Sequence, residues 1–69
     1  MAIKLTSLGI TEAEQVSAKN GPRDAILSYL YEVGDPIESQ EVLEALNLDD
    51  EKGVKVMRSL INSRYIAEV

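Results

Sequence analysis

The sequence predicts a mainly helical fold with a small β element, and three observations carry that reading. Apolar residues recur at helical spacing in two stretches, Ile26, Leu30, Val33 and Val54, Met57, Leu60, Ile61. Turn-forming residues separate the periodic stretches at Lys19-Asn20-Gly21-Pro22 and at Gly34-Asp35-Pro36. Short strand-like segments, Ile3-Lys4-Leu5-Thr6 and Tyr65-Ile66-Ala67-Glu68-Val69, lie towards the two ends. At 69 residues, 45% hydrophobic and 28% charged, the chain has the composition of one folded domain rather than of a disordered segment. We expect residues 1–20 to form an amino-terminal strand and short helix, and residues 21–69 a three-helix core with a closing strand.

The elements follow in order. Ile3-Lys4-Leu5-Thr6 alternates apolar and polar residues as a half-buried strand does, and Gly9 then interrupts. Thr11-Glu12-Ala13-Glu14 reads as a capping box, the Thr11 hydroxyl accepting from a helical amide while Glu14 reaches back, which opens a short helix through Ala18. Pro22 suits the first turn of a second helix because its missing N–H would have no partner there, and Gly34 is its carboxy-terminal cap. Leu27 and Tyr29 widen the stripe of that helix. Ile37 makes one strand-like contact, and Ser39 caps a helix to Leu46, with Val42 and Leu46 facing inward beside Leu43 and Ala45. Asn47 tolerates the left-handed exit, Leu48 follows as a buried turn residue, and Asp49 or Asp50 caps a last helix ending near Asn62-Ser63. Ile26, Leu30, Val42, Leu46, Met57 and Leu60 are the expected core. The tail from Tyr65 has the segment Ile3 to Thr6 as its nearest strand partner.

The chain has no cysteine and no histidine, which removes thiolate nucleophiles, imidazole bases and the ligands zinc prefers. No cofactor and no metal site is expected. Glu12 with Glu14, and Asp49 with Asp50, are paired carboxylates, but each pair falls at a predicted helix start where capping and the macrodipole account for it. An enzyme needs an enclosed pocket that a chain this short can hardly build, so none is expected. The opening Met1-Ala2-Ile3-Lys4-Leu5 is too soon broken to be a signal peptide, and no apolar run reaches membrane-spanning length. The expectation is an intracellular, cytoplasmic protein.

From Pro36 to Ile66 the sequence resembles a winged helix-turn-helix domain of the kind found in small bacterial and archaeal transcription regulators. Val42-Leu43-Glu44-Ala45-Leu46-Asn47-Leu48 is similar to the first motif helix and turn, with Asn47 in the place usually held by glycine. Met57 and Leu60 fall on core positions of the recognition helix, Tyr65-Ile66 on the start of the wing strand, and Pro22 to Gly34 on the preceding helix. Ile3-Lys4-Leu5-Thr6-Ser7-Leu8-Gly9 is similar to the strand that closes the wing, although here it comes first. The resemblance therefore implies a rearranged wing whose returning strand comes from the amino terminus, within the chain or from a partner subunit. Gly53 stands where the family usually has a buried apolar residue, and Arg64 where it usually has the glycine before the wing.

That resemblance implies duplex DNA as a partner, a regulator of transcription as the function and a homodimer as the assembly. Lys52, Lys55, Arg58 and Arg64 hold four of the seven positive charges and are the candidate phosphate contacts, with Ser59 on the same helix near the groove. The alternative is a solvated helix face balanced by Asp49, Asp50 and Glu51, in a chain whose net charge is −5. On that alternative the domain is a protein-interaction module, docking a protein through the acidic surface around Asp49 to Glu51 or through a free strand edge. The three tyrosines, Tyr29, Tyr31 and Tyr65, are expected to pack in the core with wet hydroxyls rather than to stack on bases.

Overall fold

A computed structural model describes all 69 residues. In chain order it comprises strand β1 (Ala2–Leu5), helix α1 (Ser7–Ala13), a single 3₁₀ turn (Ala18–Asn20) and helix α2 (Pro22–Val33). Strand β2 (Ile37–Glu38), helices α3 (Ser39–Ala45) and α4 (Glu51–Asn62), and strand β3 (Ile66–Glu68) complete it. The fold is mainly helical, with a small antiparallel sheet of order β2-β1-β3. No helix is long and apolar enough to cross a membrane.

Local chemistry accounts for α2. Pro22 is its first residue, and Gly34, at φ 78°, closes it with its amide on the Leu30 carbonyl at 3.1 Å. Helices α3 and α4 leave through the same left-handed device without glycine, with Asn47 at φ 57° and Arg64 at φ 67°. After α3, the Asn47 amide returns to Glu44 at 3.2 Å and the Leu48 amide to Leu43 at 2.7 Å. After α4, Arg64 returns to Ile61 and Tyr65 to Leu60, both at 3.1 Å. These are the paired bonds of a Schellman exit, and Leu48 and Tyr65 fold back against the core as that motif requires. Leu48 is half-buried rather than buried.

Helix α1 departs from expectation. It begins at Ser7 and ends at Ala13, because Thr6 rather than Thr11 is its cap: the Thr6 hydroxyl accepts from the Gly9 amide at 3.1 Å. Thr11 lies inside the helix and donates to the Ser7 carbonyl at 3.2 Å. Gly9 does not interrupt the chain; it is buried, and a Cβ there would lie 2.0 Å from the Tyr65 carbonyl oxygen. A distant contact thus decides where the helix starts, since the Thr6 hydroxyl also donates to the Arg64 carbonyl at 2.5 Å. Glu12 and Glu14 consequently sit at the helix end, not its start. Glu12 instead meets Arg23 at 2.8 Å, and Glu14 accepts from the Tyr31 hydroxyl at 3.1 Å.

The sheet is closed within the chain. β1 occupies the centre, with Ile3 opposite both Ile37 of β2 and Glu68 of β3, and Leu5 opposite Ile66. The strand starts one residue before the expected Ile3 and releases Thr6 to its capping role. Ser39 does not cap α3: Glu38 holds that position without a side-chain bond. The Ser39 amide donates to the Met1 carbonyl at 3.0 Å, so the sheet already satisfies the amide that opens the helix.

Ile3, Ala13, Ile26, Leu27, Leu30, Val42, Leu43, Met57, Leu60 and Ile66 form the buried core. Five of the six expected core residues are among them. Leu46 is only half-buried and Ala45 is exposed, because α3 presents Val42 and Leu43 to α2 while its last turn reaches the edge of the molecule. Val54 is 40% exposed, since Gly53 takes the inward position on that turn of α4. A Cβ on Gly53 would lie 1.7 Å from the Leu48 carbonyl oxygen, so the α3–α4 turn and the helix meet backbone to backbone. Tyr29 and Tyr65 pack against the core as expected, but Tyr31 lies outside it at 45% exposure. The hydrogen bond to Glu14 raises the Tyr31 phenol above its ordinary pKa.

Candidate nucleic-acid interface

Helix α4 is strongly amphipathic, and its two faces have different chemistry. Gly53, Met57 and Leu60 are buried, with Val56 and Ile61 half-buried beside them. Lys52, Lys55, Ser59 and Asn62 recur at intervals of three and four residues, which places them on one outer stripe. Every one of them is exposed. Arg58 is exposed on the neighbouring flank, one turn from Val54, and Arg64 is exposed in the turn that follows the helix. The structure therefore brings all five expected site residues, Lys52, Lys55, Arg58, Ser59 and Arg64, to the outer side of α4 and its exit.

The charges on this surface are mostly uncommitted. Lys52, Arg58 and Arg64 have no carboxylate within 4.0 Å. Lys55 reaches Glu51 at 3.8 Å, an exposed i,i+4 pair of the kind that contributes a few tenths of a kcal/mol, roughly 0.3–0.5. The side chains of Ser59 and Asn62 make no hydrogen bond within the protein. Arg23 contrasts with these residues. It bonds Asp24 at 2.6 Å and Glu12 at 2.8 Å, and its guanidinium lies 5.2 Å from the centre of the Tyr65 ring. Its bond to Glu12 raises its pKa against partial desolvation, so this cation fastens α1, α2 and the turn before β3 together.

The acidic start of α4 has an internal explanation in part. Asp50 is the cap, its Oδ1 accepting from the Gly53 amide at 2.9 Å, which satisfies one of the helix's orphan donors. Glu51 lies in the first turn, where its charge complements the macrodipole. Asp49 is exposed and makes no bond with its carboxylate.

Beside α4 runs an open groove of about 420 Å³, whose lining includes Met1, Leu43, Val54, Met57, Arg58 and Ile61. A smaller groove of about 190 Å³ lies across the molecule between Ile10, Tyr31 and Pro36. Asn62 shares this candidate surface without being among the residues expected there. Its signal is its spacing, three residues after Ser59 and seven after Lys55, at the end of the helix. Compared with family models, with curated proteins and with solved structures, the chain matches none.

Proposed function

We propose that the chain is a duplex-DNA-binding protein of winged helix-turn-helix type, a regulator of transcription that lays α4 in the major groove. The observation that carries this reading is the outer surface of α4, where Lys52, Arg58 and Arg64 stand without carboxylate partners around an exposed polar stripe. Two features support it. The tight left-handed turn at Asn47 sets α4 directly after α3, and β1 lies between β2 and β3, in the position a returning wing strand would take. An α-helix about 10–12 Å across fits a major groove about 12 Å wide.

Four phosphates neutralised by Lys52, Lys55, Arg58 and Arg64 give log K a slope of about −3.6 against log salt, at about −0.9 for each contact. Fluorescence anisotropy of a labelled mixed-sequence duplex, titrated across salt concentrations, measures that slope. Replacing Lys55 and Arg58 by alanine should lower it by about one unit per lost contact, and replacing Asp49 and Asp50 by asparagine should strengthen binding while leaving a capping side chain. Absence of salt-sensitive binding at low ionic strength refutes the reading. One observation favours a protein partner instead: the groove beside α4 is bordered by the exposed apolar residues Met1 and Val54.

A further inference from the structure

We infer that α4 meets DNA through its carboxy-terminal half rather than its start, with Asn62 reading a base edge and Arg64 holding the adjoining phosphate. The inference rests on the DNA-binding reading and specifies which end of the site is the working one.

Charge is distributed unevenly along the helix. The start carries Asp49, Asp50 and Glu51 against Lys52, whereas the stretch from Arg58 to Arg64 contains two arginines and no carboxylate, and Glu68 of β3 is the one carboxylate on the groove that Arg58 and Asn62 border. The macrodipole acts the other way, with about half a positive charge at the start and half a negative charge at the end. Three carboxylates at the start outweigh the first of these, and two guanidiniums near the end outweigh the second. Asp50, moreover, cannot turn away from an approaching phosphate without surrendering its bond to the Gly53 amide.

Neutral hydrogen-bonding side chains are confined to the same half, since residues 49–57 contain none. At the start, the Asp50 carboxylate is engaged in the cap and Glu51 contacts Lys55. Towards the end, the side chains of Arg58, Ser59, Asn62 and Arg64 are exposed and free of internal hydrogen bonds and ion pairs. Asn62 sits on the stripe defined by Lys55 and Ser59, and a carboxamide is the side chain that bonds the paired donor and acceptor of adenine.

Backbone conformation adds an independent observation. Of the three left-handed helix exits, those after α2 and α3 use glycine and asparagine, the residues that adopt this region at least cost. The exit after α4 uses arginine. Its carbonyl is held by Thr6, which leaves the guanidinium projecting from a fixed backbone rather than from a loose loop. Arginine there is disfavoured for stability, and a phosphate contact accounts for it.

The test compares the two ends of α4 on one probe, a mixed-sequence duplex, with melting temperature measured in parallel. Arg64→Gly should raise the melting temperature, weaken binding about fivefold to tenfold near 0.1 M salt and reduce the salt slope by about 0.9. Lys52→Ala, at the acidic end, should weaken binding less than about fivefold, below the loss with Arg64→Gly. Asn62→Ala should retain mixed-sequence affinity but, in selection from a randomised duplex pool, lose about 5- to 150-fold discrimination for adenine at one position. A loss with Lys52→Ala equal to or larger than that with Arg64→Gly overturns the inference, as does a selected sequence that is unchanged by Asn62→Ala or absent for the parent protein. Those outcomes leave salt-dependent binding by the parent intact. Its absence overturns the DNA reading itself and the inference with it.

Discussion

Replacing Gly53 by alanine sets two effects of known size against each other. In a helix interior alanine is favoured over glycine by about 1 kcal/mol, so propensity alone makes Gly53→Ala stabilising. The structure opposes this, because the new Cβ would stand 1.7 Å from the Leu48 carbonyl oxygen and 2.6 Å from its carbon. A flexible side chain could move aside, but this is backbone, and the Leu48 amide is tied to Leu43 at 2.7 Å. Either α4 lifts from the turn or the Schellman exit of α3 opens. Overpacking of this kind costs typically about 1–3 kcal/mol, and a backbone obstacle places it at the upper end, leaving a net loss of about 2 kcal/mol. For a domain of this length that lowers the melting temperature by about 8–16 °C. Thermal unfolding followed by far-ultraviolet circular dichroism measures the shift. Gly34→Ala serves as the comparison: nothing lies within 4 Å of its added Cβ, so only its φ of 78° is unfavourable and the loss should be about 1 kcal/mol. A Gly53→Ala protein that melts at or above the parent temperature would refute the close approach of helix and turn.

Two further substitutions test the packing. Thr6→Ala removes both the cap of α1 and the bond to the Arg64 carbonyl and should cost about 1–2 kcal/mol in urea unfolding, whereas Thr6→Ser should stay near the parent; equal stability of the two variants would show that the hydroxyl is idle. Ile26→Ala, at a fully buried position, should cost about 2–5 kcal/mol, and Leu46→Ala less than about 2 because its side chain is already half in water. Equal losses at the two sites would mean that the last turn of α3 is as enclosed as α2.

The elements that could be read from the sequence are those whose limits depend on neighbouring residues. Pro22 and Gly34 bound α2 by their own conformational restrictions, and Asp50 and Asn47 act within three residues of themselves. Helix α1 was misplaced because two threonines each precede a possible first turn, and the choice between them is made by the Arg64 and Tyr65 carbonyls far along the chain. Gly9 misled for the same reason: a glycine required by a neighbour in space has the same appearance in sequence as one that breaks a helix. At the candidate interface, the cations were legible because long charged side chains on an amphipathic helix face outward. Pairing between elements was not legible: Arg23, on α2, is taken up by Glu12 of α1 and by the Tyr65 ring before β3.

The central position of β1 also bears on the order in which the molecule assembles. β1 finds its longer partner only in β3, far along the chain, with the Val69 amide closing on the Ala2 carbonyl at 2.9 Å and the Thr6 amide on Tyr65 at 3.0 Å. Until those residues emerge, β1 has only the two-residue strand β2 to pair with. The helices, built on local bonds, can therefore form as the chain appears, while the sheet must bear the loop-closure entropy of the long stretch between β1 and β3. Long-range pairings of this kind form slowly, so the exit of α4, where Arg64 resides beside the ladder, is tied to the slowest class of contact in the fold.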